Sequence, residues 1–148
     1  DARTVVDAIR STGGRAMAIG ADVSRSVEVS AMVAAVVHEL GPVDVLVNNA
    51  GLAIIRGVED ITEEEFDLTI AVNLKSAFLC TQAVVPAMRA RKWGRIVNIS
   101  SGAARGAGGV GVHYNASKAG MEPLPALAGL PSKGWVIQNR QRLAPAAA

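Results

Sequence analysis

Apolar and polar positions follow two rhythms along this chain, and each predicts its own kind of element. From Ser26 to Leu40 the apolar residues Val29, Met32, Val33, Val36, Val37 and Leu40 recur at steps of three and four, which predicts a helix with one buried face. Gly41-Pro42 ends it. Val5, Val6 and Ile9 repeat this spacing within residues 3–12, and Gly13-Gly14 stops them. Thr62-Glu63-Glu64-Glu65 is a capping box that opens a longer helix, with Phe66, Ile70, Leu74, Ala77, Phe78 and Thr81 along one side. Pro86, which lacks an N–H, kinks or ends that helix near its last turns. The second rhythm is short, continuous and β-branched. Val43–Val47 and Arg95–Ile99 read as buried strands of a parallel sheet, and Arg15–Ala21 as another. Strands alternating with helices in this way predict an α/β fold.

The strand ending at Ile99 leads into the stretch that gathers the chemistry. Ser100-Ser101 is followed by a Gly-rich loop over residues 102–112, then by Tyr114-x-x-x-Lys118, whose four-residue spacing puts both side chains on one helix face. A loop between a strand tip and a helix is where open α/β sheets hold ligands. A free phenol titrates at about pH 10, roughly three units too high for acid–base work at neutral pH. A nearby ammonium favours the phenolate by opposite charge. The Ser101 hydroxyl could hydrogen-bond the same substrate oxygen that Tyr114 protonates. A tyrosine and a lysine also reach this spacing by chance on an ordinary surface helix, so their surroundings decide.

Those surroundings begin at Asp44-Val-Leu-Val-Asn-Asn-Ala-Gly51. Asn48-Asn49-Ala50-Gly51 at a strand end, followed in order by Asn73, Ser101, Tyr114 and Lys118, resembles the short-chain dehydrogenase/reductase family over residues 1 to about 122. The resemblance implies a Rossmann-like, doubly wound parallel sheet and hydride transfer between NAD or NADP and a small-molecule carbonyl or secondary alcohol. In that scheme Tyr114 exchanges the proton, Ser101 orients the oxygen, and Lys118 assists the tyrosine and binds ribose hydroxyls. Asn73 distorts its helix and holds a water that contacts the lysine; read from the residue alone, it could simply face solvent. Asn49, Ala50 and Gly51 contact the cofactor, although Asn and Gly also make ordinary turns. Val72 lies near the adenine, and Asp22-Val23 lies against it. The Asp22 carboxylate at a strand tip could equally cap the next helix. Packing of the long helices against a second copy, and hence a homo-oligomer, is a further implication of the family.

The chain departs from the family at both ends. No G-x-x-x-G-x-G loop occurs near the start, so the helix N-terminus that would face a pyrophosphate has no counterpart. Gly106, Gly108, Gly109 and Gly111 lie in the wrong place to replace it. The residue that separates NAD from NADP cannot be read. Beyond residue 122 Glu122-Pro-Leu-Pro125 interrupts the catalytic helix, and each interior proline costs about 3 kcal/mol. Residues 123–148 are therefore read as a divergent segment, and residues 1–122 as a partial Rossmann domain lacking its first two strands. An uncovered strand edge follows from that loss, and weak or absent dinucleotide binding by this chain is expected.

Composition narrows the setting. Half of the 148 residues are hydrophobic, enough for a globular core, and a net charge of +2 gives no case for nucleic acid. Arg89, Arg91, Lys92 and Arg95 cluster at a helix end, where cations complement the dipole. The single cysteine, Cys80, rules out an internal disulfide, reads as a core residue, and suggests a reducing, cytoplasmic setting. No apolar run suggests a membrane span, and no residue cluster suggests a metal. The first residue is Asp1, which reads as a piece of a longer protein. Two other functions compete with a dehydrogenase. One is a catalytically inert, nucleotide-binding or oligomerising relative. The other is an esterase built on Ser101 and His113, though no Gly-x-Ser-x-Gly elbow surrounds that serine.

Overall fold

The computed structural model describes residues 1–105 and 109–124. Helix α1, Ala2–Ser11, starts where the Asp1 carboxylate accepts the Thr4 N–H at 3.0 Å, and ends before Gly13 at φ +83°. Helix α2 spans Ser26–Leu40 and strand β1 spans Val45–Asn48. A helical rod follows: α3, Glu63–Ile70, a π-helical turn at Ala71–Lys75, and α4, Ser76–Ala90. Strand β2, Arg95–Asn98, leads through a short 3₁₀ turn at Gly102–Arg105 to α5, Val112–Gly120.

β1 and β2 pair in parallel, with Leu46 opposite Ile96 and Asn48 opposite Asn98. Parallel neighbours need a long crossover, and the 63–90 rod supplies it. Leu46 and Ile96 face inward and α4 lies over them. Val84, Val85, Met88 and Ile96 form one buried cluster, and Val29, Leu79 and Cys80 form another that reaches α2. Burying a side chain of this size is worth about 1.5–3 kcal/mol. Burial pushes the Cys80 thiol pKa up, as befits a core residue. The opposite face of β1 is open, with Val45 52% and Val47 54% exposed. This α/β arrangement with a parallel sheet realises the expected Rossmann-like fold in part.

Residues 15–21 form no strand. Among the described residues no segment pairs with them, and a strand exists only through its ladder. The Ala16 carbonyl instead accepts from the Arg10 guanidinium, at 3.1 Å from Nε and 2.8 Å from Nη2. The long helix also departs from a single stripe. Its capping box is complete, Thr62 Oγ1 accepting from the Glu65 N–H and Glu65 from the Thr62 N–H. The π-turn then shifts the helical phase. Ala77 and Thr81 are buried as expected, but Phe66 and Phe78 stand exposed, and the buried positions run through Thr69, Asn73, Ser76, Cys80, Val84 and Met88. Pro86 does not end the helix, which continues to Ala90. By length and composition the 28-residue rod could cross a membrane, but half of its most apolar window is buried within the protein.

A polar seam runs across the strand tips. Asn48 Nδ2 donates to Asn98 Oδ1 at 2.8 Å and lies 3.4 Å from Thr81 Oγ1 on α4, while Asn98 Nδ2 donates to the Met121 carbonyl just past α5 at 2.7 Å. Ser100 Oγ donates to the Lys118 carbonyl at 3.0 Å. These bonds bind a nine-residue helix to a two-stranded sheet. Removing a partner leaves a buried group unsatisfied. We therefore expect Asn98→Ala, which takes a partner from both Asn48 Nδ2 and the Met121 carbonyl, to destabilise the chain by about 1–3 kcal/mol. Urea denaturation followed by circular dichroism measures this, and an unchanged midpoint would show the seam to be inert.

Candidate active site

Both strands end on polar residues, and the loops beyond them meet α5 around a cavity of about 240 Å³. Asn49, Gly51 and Leu52 line it from the loop after β1, Ser100 and Ser101 from the loop after β2, and Tyr114 and Lys118 from α5. A volume below the roughly 300–1,000 Å³ of pockets that enclose a whole ligand suits the reacting end of one.

Lys118 is buried, and its Nζ donates to the Ile99 carbonyl at 3.0 Å. The same nitrogen lies 5.8 Å from the Tyr114 ring centroid and 3.9 Å from Met121 Sδ. Burial lowers the Lys118 pKa from the usual lysine range, because the cation gives up hydration. Ser101 Oγ accepts the Ala103 N–H at 3.3 Å, which holds the hydroxyl at the start of the 3₁₀ turn.

Gly51 sits where a side chain would be crowded. A Cβ there would stand 3.1 Å from Asn73 Oδ1 and 3.3 Å from Lys118 Nζ. The sequence suggested that this glycine clears space for a ligand; in the structure it also lets the loop backbone pass between an amide and an ammonium. Asn73, fully buried in the π-turn, does not face solvent. Its Oδ1 accepts the Leu52 N–H at 2.8 Å, and its Nδ2 donates to the Leu52 carbonyl at 2.9 Å and to Ser117 Oγ at 3.0 Å. Asn73 lies in the middle of the π-helical turn.

The cavity thus gathers Asn49, Gly51, Ser101, Tyr114 and Lys118, with Asn73 packed behind Gly51. Four other candidates lie off it. Asp22 Oδ1 accepts the Ser24 N–H at 2.9 Å and the Ser24 hydroxyl at 2.7 Å, and these bonds lower its pKa. This is a turn ahead of α2 and not a helix cap, the N-cap position belonging to Arg25. Val23 packs against the Val29, Leu79 and Cys80 cluster. The Val72 carbonyl in the π-turn accepts from Ser76 Oγ at the start of α4 at 2.5 Å, and Ala50 is exposed. His113 is buried with neither ring nitrogen hydrogen-bonded, stacked on Phe66 at 6.5 Å. Its ring lies against Gly111, where a Cβ would fall 2.5 Å from Cε1. It does not join Ser101 at the cavity, so the esterase pair is not formed.

Sequence reading missed three contributors: Ser117, Leu52 and the Ile99 carbonyl. Ser117 sits three residues after Tyr114 on the same helix, a spacing that could have drawn notice. The two backbone groups carry no side-chain signal at all.

The family profile described as short chain dehydrogenase matches residues 1–137. Among curated relatives, a 3-oxoacyl-(acyl-carrier-protein) reductase of Staphylococcus epidermidis is 39% identical over 140 residues, covering 92% of this chain and 57% of that protein. A D-beta-hydroxybutyrate dehydrogenase of Rhizobium meliloti is 39% identical over 100 residues, 67% of this chain and 39% of that protein. A solved metagenomic short-chain oxidoreductase in complex with NADP superposes with a TM-score of 0.78 at 40% identity, over 85% of this chain and 57% of that one. The chain spans about half the length of the curated relatives it matches. With the profile running through both strands, the rod and α5, the chain belongs to the short-chain dehydrogenase family.

Proposed function

We propose that this chain carries the acid–base site of an NAD(P)-dependent oxidoreductase that interconverts a carbonyl and a secondary alcohol on a small molecule. One observation carries the reading: a phenol, an ammonium and an alcohol, from Tyr114, Lys118 and Ser101, line a single cavity at the carboxyl tips of two parallel strands. The relatives named above are a reductase and a dehydrogenase, and the solved neighbour holds NADP. Choice between NAD and NADP stays open.

The residues present fit a nicotinamide and its ribose. Gly51 keeps a Cβ out of the space beside Lys118, and the ammonium retains donor capacity beyond its bond to Ile99 for sugar hydroxyls. When bound, the nicotinamide supplies or takes up the hydride. Tyr114 Oη gives a proton to the substrate oxygen in reduction and recovers it in oxidation. Ser101 Oγ donates a hydrogen bond to that oxygen and orients it. The Lys118 charge stabilises the phenolate left behind. Asn73 commits both amide hydrogens to protein partners, so a relay water beside it would use the second Oδ1 lone pair or a backbone carbonyl of the π-turn. Asn49, Ala50, Gly51, Asp22, Val23 and Val72 are assigned to the cofactor. Pairing with a second copy is assigned to α4, where Phe78, Val85 and Pro86 line an apolar groove together with Leu124 from beyond α5.

Three measurements bear on this. Tyr114→Phe in the parent protein should lower kcat by about 10²–10⁴-fold while cofactor affinity changes little; undiminished turnover would remove the mechanism. Lys118 should lose its proton below the usual lysine value, so turnover should fall on the alkaline side early. Lys118→Arg, which stays charged, should move that limb upward even if kcat drops. The sign for stability is separate: the unfolded chain binds the extra proton between the two pKa values, so the burial penalty eases as pH rises across that window. Finally, isothermal titration of the 148-residue chain with NADH and NADPH should give no micromolar binding, and micromolar affinity would contradict the weak grip expected without the glycine loop.

A further inference from the structure

We infer that Ser117 is a positioning residue for Tyr114, acting through a directed chain of hydrogen bonds that begins at the Leu52 backbone. The inference rests on the reading of Tyr114 as the acid–base group. A serine inside a helix commonly bonds a carbonyl three or four residues back, and that alone is local and unremarkable in function. Ser117 does this, its Oγ donating to the Tyr114 carbonyl at 2.7 Å. The same oxygen also accepts Asn73 Nδ2 at 3.0 Å from another helix, and both side chains are fully buried.

The direction of the chain admits no alternative. Leu52 presents one N–H and one carbonyl to Asn73, at 2.8 and 2.9 Å, so the amide must turn Oδ1 to the first and Nδ2 to the second. Nδ2 can only donate, so it must meet a lone pair of Ser117. The Tyr114 carbonyl can only accept, so the single hydroxyl hydrogen goes there. Leu52, Asn73, Ser117 and Tyr114 are therefore locked in one arrangement.

Few other bonds control the rotation of α5 about its axis. It has nine residues, and its other hydrogen bonds to the strand ends hold only its C-terminal part: Ser100 and Asn98 at the Lys118 and Met121 carbonyls, and Lys118 Nζ at the Ile99 carbonyl. The phenol oxygen lies at the end of a long side chain, so a small rotation of the helix is magnified there. Ser117 thus sets Tyr114 relative to Gly51 and Leu52, which line the same cavity. A misplacement of about 1 Å can cost about a hundredfold in rate.

Tyr114 is the only tyrosine in the chain, so 3-fluorotyrosine labelling yields one ¹⁹F resonance that reports it alone. In the 148-residue chain, Ser117→Ala should shift that resonance by more than its linewidth and broaden it, while circular dichroism stays native. Ser117→Thr, which restores the hydroxyl, should return it. If Ser117→Ala does not fold, Ser117→Cys, with similar volume and weaker bonds, is read the same way. In the parent protein Ser117→Ala should lower kcat about ten- to a hundredfold at unchanged KM, with recovery in the threonine variant. A resonance that stays in place in a folded variant overturns the inference. A resonance that moves while no variant, wild type included, turns over substrate upholds the positioning and overturns the proposed activity instead.

Discussion

Asn73 makes to Leu52 the two hydrogen bonds that a neighbouring strand would make, one to its N–H and one to its carbonyl. Buried backbone groups must find partners, and the loop leaving β1 has no strand beside it at this point. A side-chain amide projecting from a helix satisfies the loop instead. The amide can reach because the helix carrying it widens into a π-turn there. Gly51 follows from the same constraint, since a Cβ would meet both the amide and the ammonium. The cavity-lining loop, the Lys118 ammonium and, through Ser117, helix α5 all meet around this contact.

Beneath it the supporting structure is sparse. Two parallel strands of four residues are held on one face by α4 and α2, and on the other face Val45 and Val47 are left open to solvent. Parallel sheets are ordinarily covered on both faces. What stiffens this pair at its carboxyl end is polar: the Asn48–Asn98 bond and its extension to Met121. The basic residues after α4 have structural partners of the same kind. Arg91 bonds the Val43 carbonyl at 2.7 Å, and the Arg95 guanidinium lies 5.3 Å from the Trp93 ring centroid.

Much of this was legible in the chain because it rests on local rules. The Thr62–Glu65 box and the α2 periodicity act within a few residues and gave their helices where expected, while the β-branched runs expected as strands at 43–47 and 95–99 formed strands at 45–48 and 95–98. Tyr114 and Lys118 share a cavity because four-residue spacing is a property of any helix. Residues 15–21 are the counterexample. Their composition suits a strand, but pairing is a relation between two segments, and the Arg10 guanidinium took the Ala16 carbonyl. Phe66 and Phe78 were misread for a related reason, since the face of a helix that meets the core is settled by what packs against it, here through Leu79, Cys80, Val84 and Met88.

By itself the sequence determined the helical segments, two of the three runs read as extended, and which side chains of catalytic type lie at strand ends and on α5, because those follow from propensity, capping and periodicity. Only the tertiary structure decided that Asn73 clasps Leu52, that Gly51 is confined by protein atoms, that His113 turns away from the site, and that Ser117 links two helices. Each of those depends on atoms far apart in the chain meeting at about 3 Å, a condition that no local pattern encodes.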